Sequence, residues 1–297
     1  MARTNTLAYA AFAVVCIVWG TTYLAIRVAV RTMTPLLLTG ARFTVAGIIL
    51  FTIARFRGDA VPRMRRPIIE LTVAGVLLVC IGNCAVVWAE QWVPSGYAAL
   101  FVASSPLWMA MMERVLNGER VGIRRALGML VGFVGVAMLV TPGGAGGAFD
   151  AHFVIGAIVI QIGSIAWNYG TWRAKYFLED VPPLMSSAMQ MLIGGIAIGL
   201  LGFAAGEAAH FRFTFQTTMA LAYLTLLGSV VAYTSFLYAL RHMRTTNLSL
   251  YAYINPVVAV ILGWLILHEQ LTWVSVLAMV IILFGVAMVQ TRKVSEA

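Results

Sequence analysis

The sequence predicts an all-α integral membrane protein: ten transmembrane helices arranged as two inverted five-helix repeats, residues 1–147 and 148–297. Three observations predict it. Hydrophobic residues make up 61% of the 297-residue chain and charged residues only 10%, with a mean hydropathy of +0.92, which leaves too little charge to cover a soluble surface. Apolar windows of about 20 residues, the length that crosses a bilayer, recur along the whole chain. The chain also repeats itself. Gly135, Val136, Ala137 and Met138 return as Gly285, Val286, Ala287 and Met288, a shift of 150 that also carries Pro106 onto Pro256 and Glu119 onto Glu269. Near the start of each copy the shift is 148, taking Trp19 to Trp167, Pro35 to Pro183 and Gly47 to Gly195, so one two-residue indel separates the copies. An odd number of spans per copy makes the second copy begin on the opposite side of the bilayer, a construction typical of secondary transporters.

The spans fall at roughly 7–30, 35–54, 69–91, 95–115, 122–141, 152–174, 183–206, 217–240, 247–267 and 272–290. The first, from Leu7 to Val30, is longer than a signal-peptide core and lacks a clear small-residue cleavage site, so it is expected to remain as helix 1. The second begins at Pro35, and the third carries Cys80 and Cys84 on one face. No His or carboxylate on that face completes a metal set, so no metal and no cofactor are expected, and the cysteines read as small packing residues. Helices 4 and 9 hold Pro106 and Pro256 near mid-span. Gly128 and Gly132 on helix 5, and Gly195 and Gly199 on helix 7, have the four-residue spacing that lets helices approach closely. Helices 5 and 10, which carry the duplicated Gly-Val-Ala-Met segment, are expected to be scaffold or dimer-contact helices, so the chain is expected to be a monomer or a homodimer. The Gly-rich stretch from Pro142 to Asp150 reads as the hinge between copies. Loops of no more than about a dozen residues and the absence of a GxxxxGK[ST] loop exclude a nucleotide-driven pump within this chain.

Basic residues set the expected orientation, because Lys and Arg are retained on the cytoplasmic side. Arg55, Arg57, Arg63, Arg65 and Arg66 lie between helices 2 and 3, and Arg114, Arg120, Arg124 and Arg125 between helices 4 and 5. Alternation puts Arg3, Arg173, Lys175, Arg241, Arg244, Arg292 and Lys293 on the same side, so both termini are expected in the cytoplasm. The formal charge of +9 is then a topology signal rather than a nucleic-acid patch.

The site is expected where both copies are interrupted. A proline inside a helix removes the donor that satisfies the carbonyl four residues earlier, here those of Val102 and Ala252. Such breaks survive in lipid where protein or a wet cavity meets the freed carbonyl, and matched interruptions in two halves point to a binding site. Pro106 and Pro256 are therefore candidate hinges. Ser104, Ser105, Asn83, Gln161, Asn168, Gln190, Tyr233 and Asn255 are intramembrane polar residues at comparable depth; each singly reads as helix glue, and together they read as the lining of a crevice. Trp19 and Trp167, mid-span in equivalent helices, suit an apolar wall or gate, with Tyr23, Trp88, Trp108, Tyr169, Tyr251 and Tyr253 also near the spans. Arg42 lies about 10 Å below the start of helix 2 at 1.5 Å per residue. Glu90 and Arg27 lie near the same ends of helices 3 and 1. Intramembrane charges pair or face water, so an Arg42–Glu90 contact is expected, with Arg27 as competitor. Such a pair either staples helices or serves transport, with Glu90 exchanging a proton or Arg42 meeting a carboxylate on the solute.

Trp19-Gly20-Thr21-Thr22-Tyr23, Ala41-Arg42-Phe43, Val93-Pro94-Ser95-Gly96, Pro106, Gly118-Glu119-Arg120, Asn255-Pro256 and Glu269 together resemble the drug/metabolite transporter superfamily, in particular its EamA-type ten-helix permeases. The similarity spans nearly the whole chain. It implies an inner-membrane exporter or exchanger of small metabolites, commonly amino acids or related amphipathic compounds, with a central cavity and without enzymatic activity. Arg42 falls on the family's helix 2 arginine, whereas Glu90 belongs to only part of that family. At the equivalent place in the second copy stands Gln190, so the two halves are not electrically symmetric.

The residues expected to bind solute are thus Trp19, Tyr23, Arg42, Asn83, Glu90, Ser105, Trp108, Trp167, Gln190, Tyr233, Tyr253 and Asn255. The expected mechanism is alternating access, with a proton as one candidate coupling ion. A passive channel or structural protein is the rival reading. An integral-membrane enzyme is remote, because His152, His210, His242 and His268 form no HExxH or Ser/His/Asp-like group.

Overall fold

The computed structural model describes residues 2–118, 122–139, 150–243, 248 and 251–290. Among them no strand occurs, and the helices follow the apolar windows in order. Helix α1 runs Ala2–Ala29 and α2 Pro35–Phe56. Helix α3 runs Arg65–Ala89 with a π-helical middle, Val76–Asn83. Helix α4 runs Ser95–Leu116 and is interrupted between Val102 and Ser105. Then come α5 (Ile123–Leu139), α6 (Ala151–Phe177) and α7 (Pro183–Ala204). Helix α8 runs Phe215–His242 with a second π-helical middle, Leu224–Val231, followed by α9 (Tyr251–Leu267) and α10 (Trp273–Gln290). Seven of these, α1–α4 and α6–α8, are long and apolar enough to cross a membrane. Helices α5 and α9 have 17 residues each and α10 has 18, so each is roughly 26 Å long against a hydrocarbon core of about 30 Å. The expected hinge at 142–149, Glu119, Arg120, Arg244, Arg292 and Lys293 lie outside the described residues.

Proline starts α2 and α7. Pro35 and Pro183 occupy the first turn, where a missing N–H costs nothing and the fixed φ suits the helix. Asp150 caps α6 by accepting the Phe153 N–H at 2.8 Å, a bond that also holds its carboxyl below the usual range. The outer surface is apolar, with Ile48, Leu130, Ile158, Leu200, Phe203 and Phe284 exposed, as a chain solvated by lipid requires.

The most extensive packing joins α2 to α7 and α5 to α10. At the first seam the backbones touch: a Cβ on Gly195 would stand 2.5 Å from the Thr44 nitrogen, and one on Gly40 2.5 Å from the Gly199 Cα. At the second, a Cβ on Gly135 would stand 2.8 Å from Ile282 Cγ1 and 2.9 Å from its nitrogen. Small residues here let helices meet where burial alone gives little drive. The Gly135 side of α5 therefore packs on α10 within one chain and is not turned outward to a second copy.

Several bonds between the halves gather at one end of the bundle. Glu207 accepts from the Leu36 and Leu37 N–H groups at 3.3 and 2.9 Å, capping α2. The Thr32 hydroxyl donates to the Arg212 carbonyl at 2.9 Å, and Trp92 stacks on His152 at 5.5 Å. His268, at φ 55°, turns the chain out of α9 so that Glu269 accepts from Ser95 N and Oγ at 2.8 Å each and from Gly96 N at 3.0 Å. These are a charge-assisted cap on α4 delivered from the other half of the chain. At the opposite end Arg173 meets Glu70 in a bidentate pair with bonds of 2.6 to 2.9 Å.

Candidate functional site: a central cavity at the seam

A cavity of about 80 Å³ lies among α1, α2, α3 and α4 of the first half and α6 and α9 of the second. At roughly 10–15 Å³ per water that is room for a few waters. Its apolar wall is an aromatic cluster. Trp19 and Trp167 meet edge to face at 5.6 Å, Tyr251 meets Trp19 at 5.4 Å, and Phe236 packs on both tryptophans at 5.1 and 5.7 Å. Such geometry aligns ring edges with neighbouring faces. Its polar lining comes from Thr22, Tyr23, Arg42, Asn83, Ser105, Ser164 and Asn255.

The two π-helical segments flank this cavity at equivalent places, since 224 − 76 = 148 and 231 − 83 = 148. A π turn is wider than an α turn and often marks a functional site. In α3 the Asn83 amide donates to the Leu78 carbonyl five residues back at 3.0 Å. In α8 the Gly228 carbonyl accepts from the Trp19 indole at 3.1 Å, and Ser229 Oγ accepts from Arg42 Nε at 2.8 Å. The sequence carried no visible signal for either segment, because a π turn leaves the apolar window unchanged.

Arg42 and Glu90 are both buried, at 3% and 0% exposure, but they do not form the expected ion pair. Arg42 turns to Ser229 and lies 4.6 Å from the Phe43 ring centroid. Its Nη1 and both Glu90 carboxylate oxygens have no hydrogen-bond partner among the described residues. Arg27, the expected competitor, bonds the Glu90 backbone carbonyl rather than its carboxylate. Arg27, Glu269 and Arg42 nonetheless lie within electrostatic reach of the Glu90 carboxylate. The physical reason is geometric: the guanidinium is held by a serine 187 residues away in sequence, which helix depth alone does not reveal.

The interruption of α4 falls just before Pro106, and Gln161 of α6 fills it. Its amide donates to the Phe101 carbonyl at 3.1 Å while its oxygen accepts from Ser104 Oγ at 2.9 Å and Trp108 Nε1 at 2.7 Å. Pro256 sits inside an unbroken α9, so the two prolines act on differently shaped helices. Asn255 lines the cavity, and its amide, assigned by the two carbonyls it faces, turns its nitrogen to Tyr251 O at 3.2 Å and Cys16 O at 3.0 Å, tying α9 to α1.

Of the residues expected from sequence, the structure brings Trp19, Tyr23, Arg42, Asn83, Ser105, Trp167 and Asn255 to the cavity. Trp108 is engaged by Gln161 and packs on Phe133 at 4.8 Å. Gln190 and Tyr233 bond each other at 2.7 Å, with Gln190 also donating to Ser186 at 2.8 Å, a closed buried contact between α7 and α8. Glu90 stands buried beyond the lining. The side chain of Tyr253 lies outside the described residues. Sequence reasoning missed Gly228 and Ser229, because a backbone carbonyl and one small hydroxyl inside an apolar span give no signal of their own. Among the described residues no group of three or more His, Cys, Asp or Glu could hold a metal, and Cys80 donates to the Gly194 carbonyl at 3.1 Å.

Comparison with known proteins fits this architecture. The profile of the EamA-like transporter family matches residues 6–141 and again 154–291. The inner membrane transporter YedA of Escherichia coli (strain K12) is 36% identical over 278 residues, covering 93% of this chain and 88% of that one. The transporter YoaV of Bacillus subtilis (strain 168) is 21% identical over 275 residues, covering 92% and 93%. A solved crystal structure superposes with a TM-score of 0.70 at 19% identity over 97% of both chains, a likeness of fold alone. The chain belongs to the EamA-like transporter family of the drug/metabolite transporter superfamily, and it is a multi-pass membrane transporter acting on a small-molecule substrate.

Proposed function

We propose that this transporter is a secondary exporter or exchanger of small amphipathic metabolites such as amino acids, working by alternating access in a bacterial-type inner membrane with both termini cytoplasmic. The observation that carries the reading is the cavity itself. Both halves line it, and it joins an aromatic wall to a buried guanidinium whose Nη1 has no partner among the described residues. A buried donor left unmet costs about 1–3 kcal/mol, so a solute bringing an apolar body and a polar head answers both sides of the site. Because residues of both halves line the cavity, parting and closing of the halves changes access to it.

Two inverted repeats, 1–147 and 148–297, supply the motion. The reading is supported by the doubled family match, by the pairing of equivalent helices α2 with α7 and α5 with α10, and by the two π segments at one shift. Pro106 and Pro256 are the proposed hinges. The caps are unequal between the ends. Glu207 caps α2, whereas at the equivalent place Asp59 forms no side-chain bond among the described residues and α7 has no side-chain cap. Exchange of one cap for the other as the bundle rocks is the expected cycle. Each state then holds one end shut.

Glu90 is the proposed proton carrier. No donor meets its carboxylate among the described residues, and Arg27, Arg42, Glu269 and Tyr23 lie within its electrostatic reach, so a rearrangement of these neighbours changes what charge it can hold. No catalytic role is proposed for any residue.

Counterflow in proteoliposomes tests the reading. Liposomes preloaded with unlabelled amino acids are expected to accumulate labelled solute transiently and saturably, with a rate that responds to an imposed proton gradient. Channel-like conductance without saturation, or no counterflow with any amino acid, nucleobase or amphipathic metabolite, would overturn it.

A further inference from the structure

Two equivalent contacts join the halves, one at each end of the bundle. Residues 65–75 of α3 pack on α6, and residues 215–223 of α8 pack on α1. They are held by different chemistry. Where α3 meets α6, the Glu70 carboxylate accepts from Arg173 Nε at 2.9 Å and from Arg173 Nη2 at 2.6 and 2.7 Å, and the two side chains are only 10% and 22% exposed. Tyr169 braces the pair by accepting from Arg173 Nη1 at 3.1 Å, and the Phe177 ring centroid lies 5.2 Å from the guanidinium. The shift of 148 carries Glu70 onto Thr218 and Arg173 back onto Ala25, neither of which bears a charge. At that end hydroxyls make the contact: Thr21 bonds Tyr223, and Thr32 donates to Thr217 at 3.1 Å.

We propose that Arg173 and Glu70 form a one-sided ionic latch, which opposes opening of the bundle at the Glu70 end and has no equivalent in the matched contact of α8 with α1. Separating α3 from α6 breaks several charge-assisted bonds at once and strands two mostly buried charges until water reaches them. Separating α8 from α1 breaks neutral hydroxyl bonds, which water replaces with little net loss. The latch also fills a gap left by the caps. Glu207 holds the other end by capping α2, whereas Asp59, at the equivalent place, forms no side-chain bond among the described residues. The Glu70 end is thus held by an ion pair between side chains, and the Glu207 end by a carboxylate on backbone N–H groups. Removing either hold tips the same equilibrium, in opposite directions.

The inference rests on the alternating-access reading, and the test separates the two. Amide hydrogen exchange is followed by mass spectrometry on the full chain in liposomes without solute, and counterflow is measured on the same preparation. Glu70→Gln is expected to speed exchange in residues 65–75 and 169–177 by about tenfold, the scale of one charge-assisted hydrogen bond, because exchange there follows the open population. Exchange in residues 21–29 and 215–223 is expected to slow in the same variant. A brace that merely stiffens its own surroundings does not produce that reciprocal change. Arg173→Lys keeps the charge but gives up the planar fork, so it is expected to fall between wild type and Glu70→Gln, and it carries the test if the latter does not fold. Faster exchange confined to the Glu70 end, faster exchange at both ends, or no change at either, in a protein that performs counterflow, overturns the latch and leaves the carrier. Wild type without counterflow overturns the carrier reading, and the latch with it.

Discussion

Arg42 and Glu90 lie buried in neighbouring helices of the same half yet do not pair: the arginine is turned to Ser229 at 2.8 Å and the glutamate carboxylate meets no donor among the described residues. A structural staple would show the reverse. Glu90→Gln removes a buried carboxylate that no donor meets among the described residues, so its thermal unfolding temperature is expected to equal or exceed wild type while transport loses its response to a proton gradient. A lower unfolding temperature together with unchanged gradient dependence would assign Glu90 to structure. Arg42→Gln is expected to fold and to lose saturable uptake.

Gln161 is where the break in α4 is made tolerable. Gln161→Leu removes the donor to the Phe101 carbonyl and the acceptor for Ser104 and Trp108. Leaving buried groups unmet costs about 1–3 kcal/mol each. The expected result is a thermal unfolding shift of several degrees in detergent, with Gln161→Glu intermediate because its oxygens still accept.

The backbone contact between α2 and α7 makes a sharp comparison. Gly195→Ala sets a methyl 2.5 Å from the Thr44 nitrogen, and overpacking of this kind costs about 1–3 kcal/mol. Gly122→Ala meets nothing within 4 Å and is expected to be neutral. Equal stability of the two variants would contradict the close packing of this seam.

Much of this was legible in the chain before any coordinates. The ten apolar windows, the proline starts at Pro35 and Pro183, and the mid-span tryptophans all follow from length, period and repeat. What escaped is the direction in which side chains point around each helix. Gln190 and Tyr233 have the right depth to line the cavity, but their azimuth turns them onto each other at 2.7 Å. Trp108 is likewise taken by Gln161. The π segments escaped for a different reason: an eight-residue stretch such as Val76–Asn83 reads identically in hydropathy whether wound with four or five residues between bonded groups.

Glu207 and Asp59 offer a way to bias the two ends. Glu207→Gln weakens the cap on α2 and is expected to raise the reactivity of Val86→Cys toward a reagent added from the Glu207 side by about tenfold, the population shift set by ~1.4 kcal/mol. Asp59→Asn, which disturbs no bond seen here, is expected to lower it. Identical reactivity in both variants would separate the caps from the conformational equilibrium.

Reciprocal motion of the two ends is the most direct test of alternating access between the halves. Spin-label distances are measured on two pairs of exposed positions, Arg31 with Phe213 at the Glu207 end and Arg57 with Glu179 at the Glu70 end, in liposomes with and without saturating solute and a proton gradient. The account predicts that conditions which lengthen the first distance shorten the second. Two distances that stay fixed in a transporting protein, or that lengthen together, would contradict it.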